Sequence, residues 1–165
     1  MNQYLTFYVA GEEYAVTILK VTEIIECVSL THVPGTPSWI RGVLNLRGAV
    51  VPVVDLTVKF GLPATALTRR TCVVMVEIEH DSERLVLGVM ADAVHQVVEL
   101  GPEQVQPPPS FGPKVRVDCI HGMGNSGGRF IVLLDIDRVL TASEILAATL
   151  LPEEAPAEEA GAAMA

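Results

Sequence analysis

Short runs of Val, Ile and Leu, separated by glycine, proline and charged residues, fill the chain between residues 4 and 134. Runs of this length and composition are typical of β-strands, and the turn residues between them favour hairpins. Helix signals are few. Asp55 precedes a short apolar segment as a capping residue does, and the capping-box pattern Thr141-x-x-Glu144 precedes another. The pattern therefore predicts an all-β fold with a short C-terminal helix.

The chain also repeats itself. Residues 40–56 match residues 120–136 without a gap, and residues 21–26 match residues 94–99. The identical pairs in the longer block are Ile40/Ile120, Gly42/Gly122, Asn45/Asn125, Gly48/Gly128 and Asp55/Asp135. Glycines and an acid in register indicate an internal duplication, so we expect two small β-barrels or sandwiches that pack against each other.

The composition changes near the C-terminus. Residues 152–165 consist mainly of Ala, Glu, Pro and Gly without aromatic residues, which is typical of a disordered tail. We therefore expect one domain over residues 1–151, with two barrel subdomains that correspond roughly to its first and second halves, and a disordered acidic tail over residues 152–165. Hydrophobic residues make up 50% of the chain, which suffices for a packed core.

Charge and hydropathy exclude several classes of protein. Eleven basic residues against twenty acidic ones give a formal net charge of −9, so we expect no nucleic-acid partner. No apolar run is long enough to cross a bilayer and no signal peptide is recognisable, so we expect no direct membrane insertion and a cytoplasmic location. The cysteines Cys27, Cys72 and Cys119 form no CxxC pair, as expected in a reducing compartment.

One aspartate per copy, Asp55 and Asp135, raises the question of an aspartic-protease-like pair. Such sites need small residues after the acid, whereas Leu56 and Ile136 follow here, and helix capping explains both acids. The histidines lack metal-ligand spacing, and no phosphate loop is present. We therefore expect no enzyme activity, no metal and no cofactor. The more distant alternative is a two-aspartate hydrolase, which requires both carboxylates in one cleft with raised pKa values.

The two copies differ in charge at two positions. Glu23 and Arg47 of the first copy correspond to Gln96 and Gly127 of the second, so both charges occur together or not at all. One hypothesis is that Glu23 and Arg47 form an ion pair or share a surface that only the first copy has. The alternative is that two solvated charges changed independently.

The most specific motif lies in the first copy. It reads Asn45-Leu46-Arg47-Gly48-x-Val50-Val51-Pro52-Val53-Val54-Asp55-Leu56, after Pro34-x-x-Pro37-x-Trp39-Ile40-x-Gly42-Val43 and Tyr14-Ala15-Val16-x-Ile18-x-x-Val21-x-Glu23-Ile24-Ile25. This block closely resembles the CheW family, the coupling proteins of bacterial chemotaxis, and the resemblance runs over about residues 4–150. It implies two intertwined SH3-like, five-stranded β-barrels, in agreement with the duplication.

The resemblance further implies an adaptor that links chemoreceptor cytoplasmic tips to the histidine kinase CheA, whose regulatory domain has the same fold. Other CheW-like domains are expected as partners in rings. Carried over to matching positions, the receptor-binding groove between the barrels includes Val21, Glu23, Gly42, Asn45 and Arg47. Core packing at Val21 and a structural turn at Gly42 are the alternatives there. The alternative output is a related pathway that controls surface motility or development.

Overall fold

The computed structural model of the chain describes residues 2–26, 30–80, 82–108 and 119–139. One short α-helix, α1, spans Leu56–Lys59, and three 3₁₀ turns span Ile18–Lys20, Pro102–Gln104 and Ile136–Arg138. The strands are β1 (Asn2–Val9), β2 (Glu12–Thr17), β3 (Val21–Glu26), β4 (Ile40–Leu46), β5 (Ala49–Val54), β6 (Cys72–His80), β7 (Glu83–Ala91), β8 (Ala93–Leu100), β9 (Val105–Gln106), β10 (Ile120–Ser126) and β11 (Arg129–Leu134).

These strands form two sheets. One has five strands in the order β3-β6-β7-β5-β4, and the other has six in the order β8-β1-β2-β11-β10-β9. Neighbours are antiparallel except β5 with β7 and β11 with β2. A parallel pair cannot be joined by a hairpin, so the chain must cross over between such strands. In addition, β1 pairs with β8 and β2 with β11, so strands from the start of the chain belong to the same sheet as strands from its second half.

The two sheets share one plan. In sheet order, β3, β6, β7, β5 and β4 correspond to β8, β1, β2, β11 and β10, including the single parallel pair. A register shift occurs just before Gly42 and again just before Gly122. The short strand β9 also has a counterpart, an isolated bridge between Thr31 and Val43. The predicted duplication and the two-barrel all-β fold are therefore confirmed.

Successive residues of one strand pack into different cores. In β6, Val73 and Met75 belong to the core of the five-stranded barrel, whereas Val74 and Val76 join a core shared by both sheets. The six-stranded barrel has a core of its own, which contains Leu133. Because side chains alternate across a strand, burial of both faces requires an unbroken apolar run. This explains why the strands of this chain show little polar alternation.

The helix predicted at Asp55 is confirmed, because α1 begins at Leu56 and the Asp55 side chain accepts a hydrogen bond from Thr57 N. The helix predicted after Thr141 and the acidic tail over residues 152–165 lie outside the described residues. Within the part of the chain that the structure describes, no helix has the length and apolarity needed to cross a membrane.

Candidate functional site

A two-residue turn connects β4 to β5 in the first copy. Arg47 and Gly48 have φ values of +52° and +88°, the left-handed backbone that a tight hairpin turn requires. The side chain of Asn45 holds this turn, since its Oδ1 accepts a hydrogen bond from Gly48 N at 2.9 Å. The turn presents the Arg47 side chain to solvent, with 72% of its surface exposed.

Arg47 forms an ion pair with Glu23, which is one of the two arrangements in the hypothesis drawn from the comparison of the two copies. The Arg47 Nη2 atom lies 2.5 Å from Glu23 Oε1, and the hydrogen bond raises the pKa of the arginine. Glu23 lies in β3 and Arg47 follows β4, the two edge strands of the five-stranded sheet. The pair therefore bridges the edges across the opening of this barrel.

The second copy keeps the turn and lacks the charges. Gly127 and Gly128 have φ values of +60° and +85°, and Asn125 Oδ1 accepts a hydrogen bond from Gly128 N at 3.2 Å. This hairpin forms with Gly127 in place of arginine and with Gln96 in place of the glutamate. The ion pair is therefore not required to build the turn, which favours a role for it at the surface.

Gly42 and Val21 occupy positions with a structural explanation. A Cβ atom added at Gly42 would lie 2.7 Å from Thr31 O, and one added at Gly122 would lie 2.7 Å from Gln106 O. The same close approach in both copies makes Gly42 a requirement of the barrel. Val21 is half-buried and packs against the shared core. Of the five predicted groove residues, Glu23, Asn45 and Arg47 present polar side chains around one hairpin.

Asp55 is fully buried at the end of β5, and its carboxylate is saturated with donors. Its Oδ2 accepts hydrogen bonds from Arg41 Nη1 (2.7 Å) and Thr65 N (3.0 Å), and its Oδ1 accepts from the hydroxyls of Thr57 (2.6 Å) and Thr65 (2.8 Å). Burial by itself raises the pKa of Asp55, but the hydrogen bonds from Thr57, Thr65 and Arg41 outweigh it and lower the pKa below its usual value.

Asp135 has the same position in the second copy with weaker contacts. Its Oδ1 accepts a hydrogen bond from Asp137 N at 3.3 Å, its Oδ2 lies 3.5 Å from Arg138 Nε, and its side chain is 35% exposed. Among the described residues, Asp55 and Asp135 share no hydrogen-bond partner, and each caps its own turn. A hydrolytic pair needs a shared cleft and a raised pKa, whereas the pKa of Asp55 is lowered.

A model of the CheW-like domain family matches residues 3–144. The chain belongs to the CheW-like family. Its similar proteins include the chemotaxis protein CheW of Klebsiella aerogenes, which is 35% identical over 144 residues, 87% of this chain and 84% of the relative. The chemotaxis protein CheW of Rhizobium meliloti is 30% identical over 143 residues, 87% of this chain and 90% of the relative.

A solved CheW structure has the same fold. The crystal structure of the scaffolding protein TtCheW from Thermoanaerobacter tengcongensis matches with a TM-score of 0.75 and 27% identity, covering 87% of this chain and 90% of that one. The SH3-like fold expected from the resemblance is therefore confirmed. As a CheW-like protein, the chain is a chemotaxis scaffold or adaptor and not an enzyme, and the hydrolase alternative is excluded.

The structure of this CheW-like chain also contains a charged group that sequence reasoning missed. Glu13, whose side chain is 7% exposed, lies 2.9 Å from His95 Nδ1 and 3.5 Å from Arg129 Nη1, on the six-stranded sheet. The partners are distant in sequence, so only knowledge of the strand pairing would have revealed them. Within the described ranges, no three His, Cys, Asp or Glu side chains are arranged to hold a metal ion.

Proposed function

We propose that this chain couples chemoreceptor cytoplasmic tips to the histidine kinase CheA, and that the hairpin carrying Asn45 and Arg47 belongs to its receptor-binding surface. The observation that carries the proposal is the exposed Glu23–Arg47 ion pair, which only one of two otherwise equivalent barrels has. Family membership and the chemotaxis names of its relatives support the same function.

A receptor tip is a helical hairpin, and an apolar stripe of such a helix suits a groove with apolar walls. Ile24 offers such a wall, since it is 42% exposed and pairs with Val74, so its side chain lies on the same face of β3 as Val21. In this arrangement apolar contacts supply most of the affinity, while Arg47 selects the partner and fixes its register through an oriented charge. Val21 contributes by supporting β3 from the core side.

The proposed contact with the kinase is supported by the similarity between the fold of this chain and that of the CheA regulatory domain. The regulatory domain of CheA has the barrel fold of this chain, so edge-to-edge contacts between barrels are the natural mode of association, and they extend to rings that include other CheW-like domains. These contacts require the protein to act in the cytoplasm, at arrays of membrane receptors.

A pull-down experiment tests the proposed receptor-binding surface of this chain. The purified chain is mixed with a receptor signalling tip and with a kinase regulatory domain, separately and together. We expect binding to both at once, and we expect Arg47→Glu to reduce receptor binding at least tenfold while kinase binding stays within twofold. Arg84→Glu is the matched control, because Arg84 is 69% exposed and also pairs with acids of its own sheet, Glu77 and Glu79.

Thermal unfolding separates a binding defect from a folding defect. Exposed ion pairs contribute little to stability, so the melting temperature of Arg47→Glu should lie within about 4 °C of the unchanged chain. Equal loss of receptor binding in Arg47→Glu and Arg84→Glu would contradict the proposed surface. A large fall in melting temperature would assign Arg47 to barrel closure instead.

A further inference from the structure

An open cleft of about 800 Å³ lies where three turns meet, and none of the five predicted groove residues lines it. Tyr8 and Gly11 come from the β1–β2 hairpin, Asp92 from the β7–β8 turn, and Arg69 and Arg70 from the segment that leads into β6. The volume of the cleft lies in the range of ligand-binding sites. Most of the lining surface is apolar, and Arg69, Arg70 and Asp92 contribute its charged groups.

Arg69 and Arg70 differ from the other basic side chains that the structure describes. Seven of these nine pair with an acid or stack on an aromatic ring: Lys20, Arg41, Arg47, Lys59, Arg84, Arg129 and Arg138. The side chains of Arg69 and Arg70 have no such partner within the described part. In a chain of net charge −9, two adjacent unpaired arginines at a cleft indicate a site for an anionic group.

The segment that carries these arginines is anchored. Thr68 N donates a hydrogen bond to Thr71 Oγ1 at 2.8 Å, and Arg70 N donates to Thr68 Oγ1 at 3.1 Å. Upstream, Thr65 is tied to the buried carboxylate of Asp55. The acid in the lining, Asp92, already accepts a hydrogen bond from Ala10 N at 3.0 Å. These bonds hold the backbone that carries the two arginines, so little backbone freedom is lost on binding.

We propose that the cleft binds a peptide segment in which apolar residues precede two adjacent carboxylates, and that its occupant is the segment Leu150-Leu151-Pro152-Glu153-Glu154 of this chain. The two leucines match the apolar lining, and the two glutamates match Arg69 and Arg70. No basic residue follows Leu151, so the segment carries its negative charge uncompensated. Tethering raises its local concentration to the millimolar range, which makes a weak ionic contact sufficient.

The chain is long enough for this contact. Val139 lies near the end of β6, because Asp137 accepts a hydrogen bond from Glu79 N, whereas the cleft lies near the start of β6 at Cys72. That part of the strand is about 23 Å long at 3.3 Å per residue. The fourteen residues from Val139 to Glu153 span about 45 Å when extended but only roughly 21 Å as one continuous helix, so they reach the cleft when part of this segment is extended.

NMR relaxation of the full chain tests the contact. Order parameters are measured for the backbone amides of Glu153 and Glu154 at low salt. We expect values above about 0.6 in the unchanged chain and below about 0.6 in Arg69→Ala/Arg70→Ala. The control is Arg47→Ala/Arg84→Ala, which removes two exposed arginines elsewhere and should leave the order parameters unchanged. Because the contact is ionic, 1 M salt should release it.

A charge swap makes the test specific. Glu153→Arg/Glu154→Arg should release the segment, and combining it with Arg69→Glu/Arg70→Glu should restore the order parameters. Values below about 0.6 in the unchanged chain, or values that the cleft variants do not change, would overturn the proposal. An ordering that appears only as protein concentration rises would also overturn it, since the occupant would then come from a second copy. Unchanged amide signals from the strands verify that every variant folds.

Discussion

At the scale of single residues, the duplication supplies a natural comparison between Asp55 and Asp135. Asp55 is buried and bonded to Arg41, Thr57 and Thr65, whereas Asp135 is 35% exposed and bonded within its own turn. Replacing Asp55 by alanine leaves a buried amide, hydroxyls and a guanidinium without their acceptor. We expect Asp55→Ala to lower the free energy of unfolding by about 3 kcal/mol and Asp135→Ala by about 1 kcal/mol. Urea titration measures both free energies of unfolding. Equal losses in the two variants would contradict the hydrogen-bond network assigned to Asp55.

The lowered pKa of Asp55 adds a pH dependence with a defined sign. A carboxylate whose folded pKa lies below its usual value of 3.8 stabilises the protein above that pH, and the contribution is lost as pH falls through the folded value. The unchanged chain should therefore lose stability below about pH 4. In Asp55→Asn the side chain cannot ionise, so this variant should lose less stability than the unchanged chain below about pH 4. Urea midpoints at pH 6 and pH 3 measure this difference, and parallel declines would contradict it.

At the scale of the hairpin, arginine occupies a position whose backbone conformation favours glycine. Arg47 adopts φ +52°, which is unfavourable for a side chain with a Cβ atom, and the second copy has Gly127 at φ +60° in the same turn. We expect Arg47→Gly to leave the melting temperature unchanged or to raise it by about 2–4 °C, because relief of the backbone offsets loss of the exposed ion pair. The same variant should reduce receptor binding, as measured by pull-down.

The reciprocal substitution in the second hairpin is the control. Gly127→Arg places a Cβ atom in the left-handed conformation without a glutamate opposite, so we expect the melting temperature to fall by about 2–8 °C. If Arg47→Gly proved strongly destabilising, the ion pair would be needed to close the barrel and its role at the surface would lose support.

At the scale of the whole molecule, sequence reasoning succeeded where signals are local or repeated. The matched glycines and aspartates of the two copies predicted two equivalent barrels. The joint absence of Glu23 and Arg47 from the second copy led to the hypothesis of an ion pair or a shared surface, and the structure shows the ion pair. The pairing of β1 and β2 with β8 and β11 left no local signature, because those partners are far apart in the chain. Contacts that depend on such pairing, like that between Glu13 and Arg129, were inaccessible for the same reason.

Because both sheets contribute to the shared core, we expect the two barrels to unfold as one unit. Leu133 belongs to the core of the six-stranded barrel, whereas Trp39 precedes β4 of the five-stranded sheet and packs on the shared core. Leu133→Ala should cost about 2–5 kcal/mol and lower the melting temperature by roughly 5–15 °C. Burial of the shared core requires both sheets. The unfolding transitions followed by Trp39 fluorescence and by far-UV circular dichroism should therefore shift to lower temperature together. Met75→Ala, in the other barrel's core, should do the same. A Trp39 transition that stayed in place in Leu133→Ala would show that the barrels unfold independently.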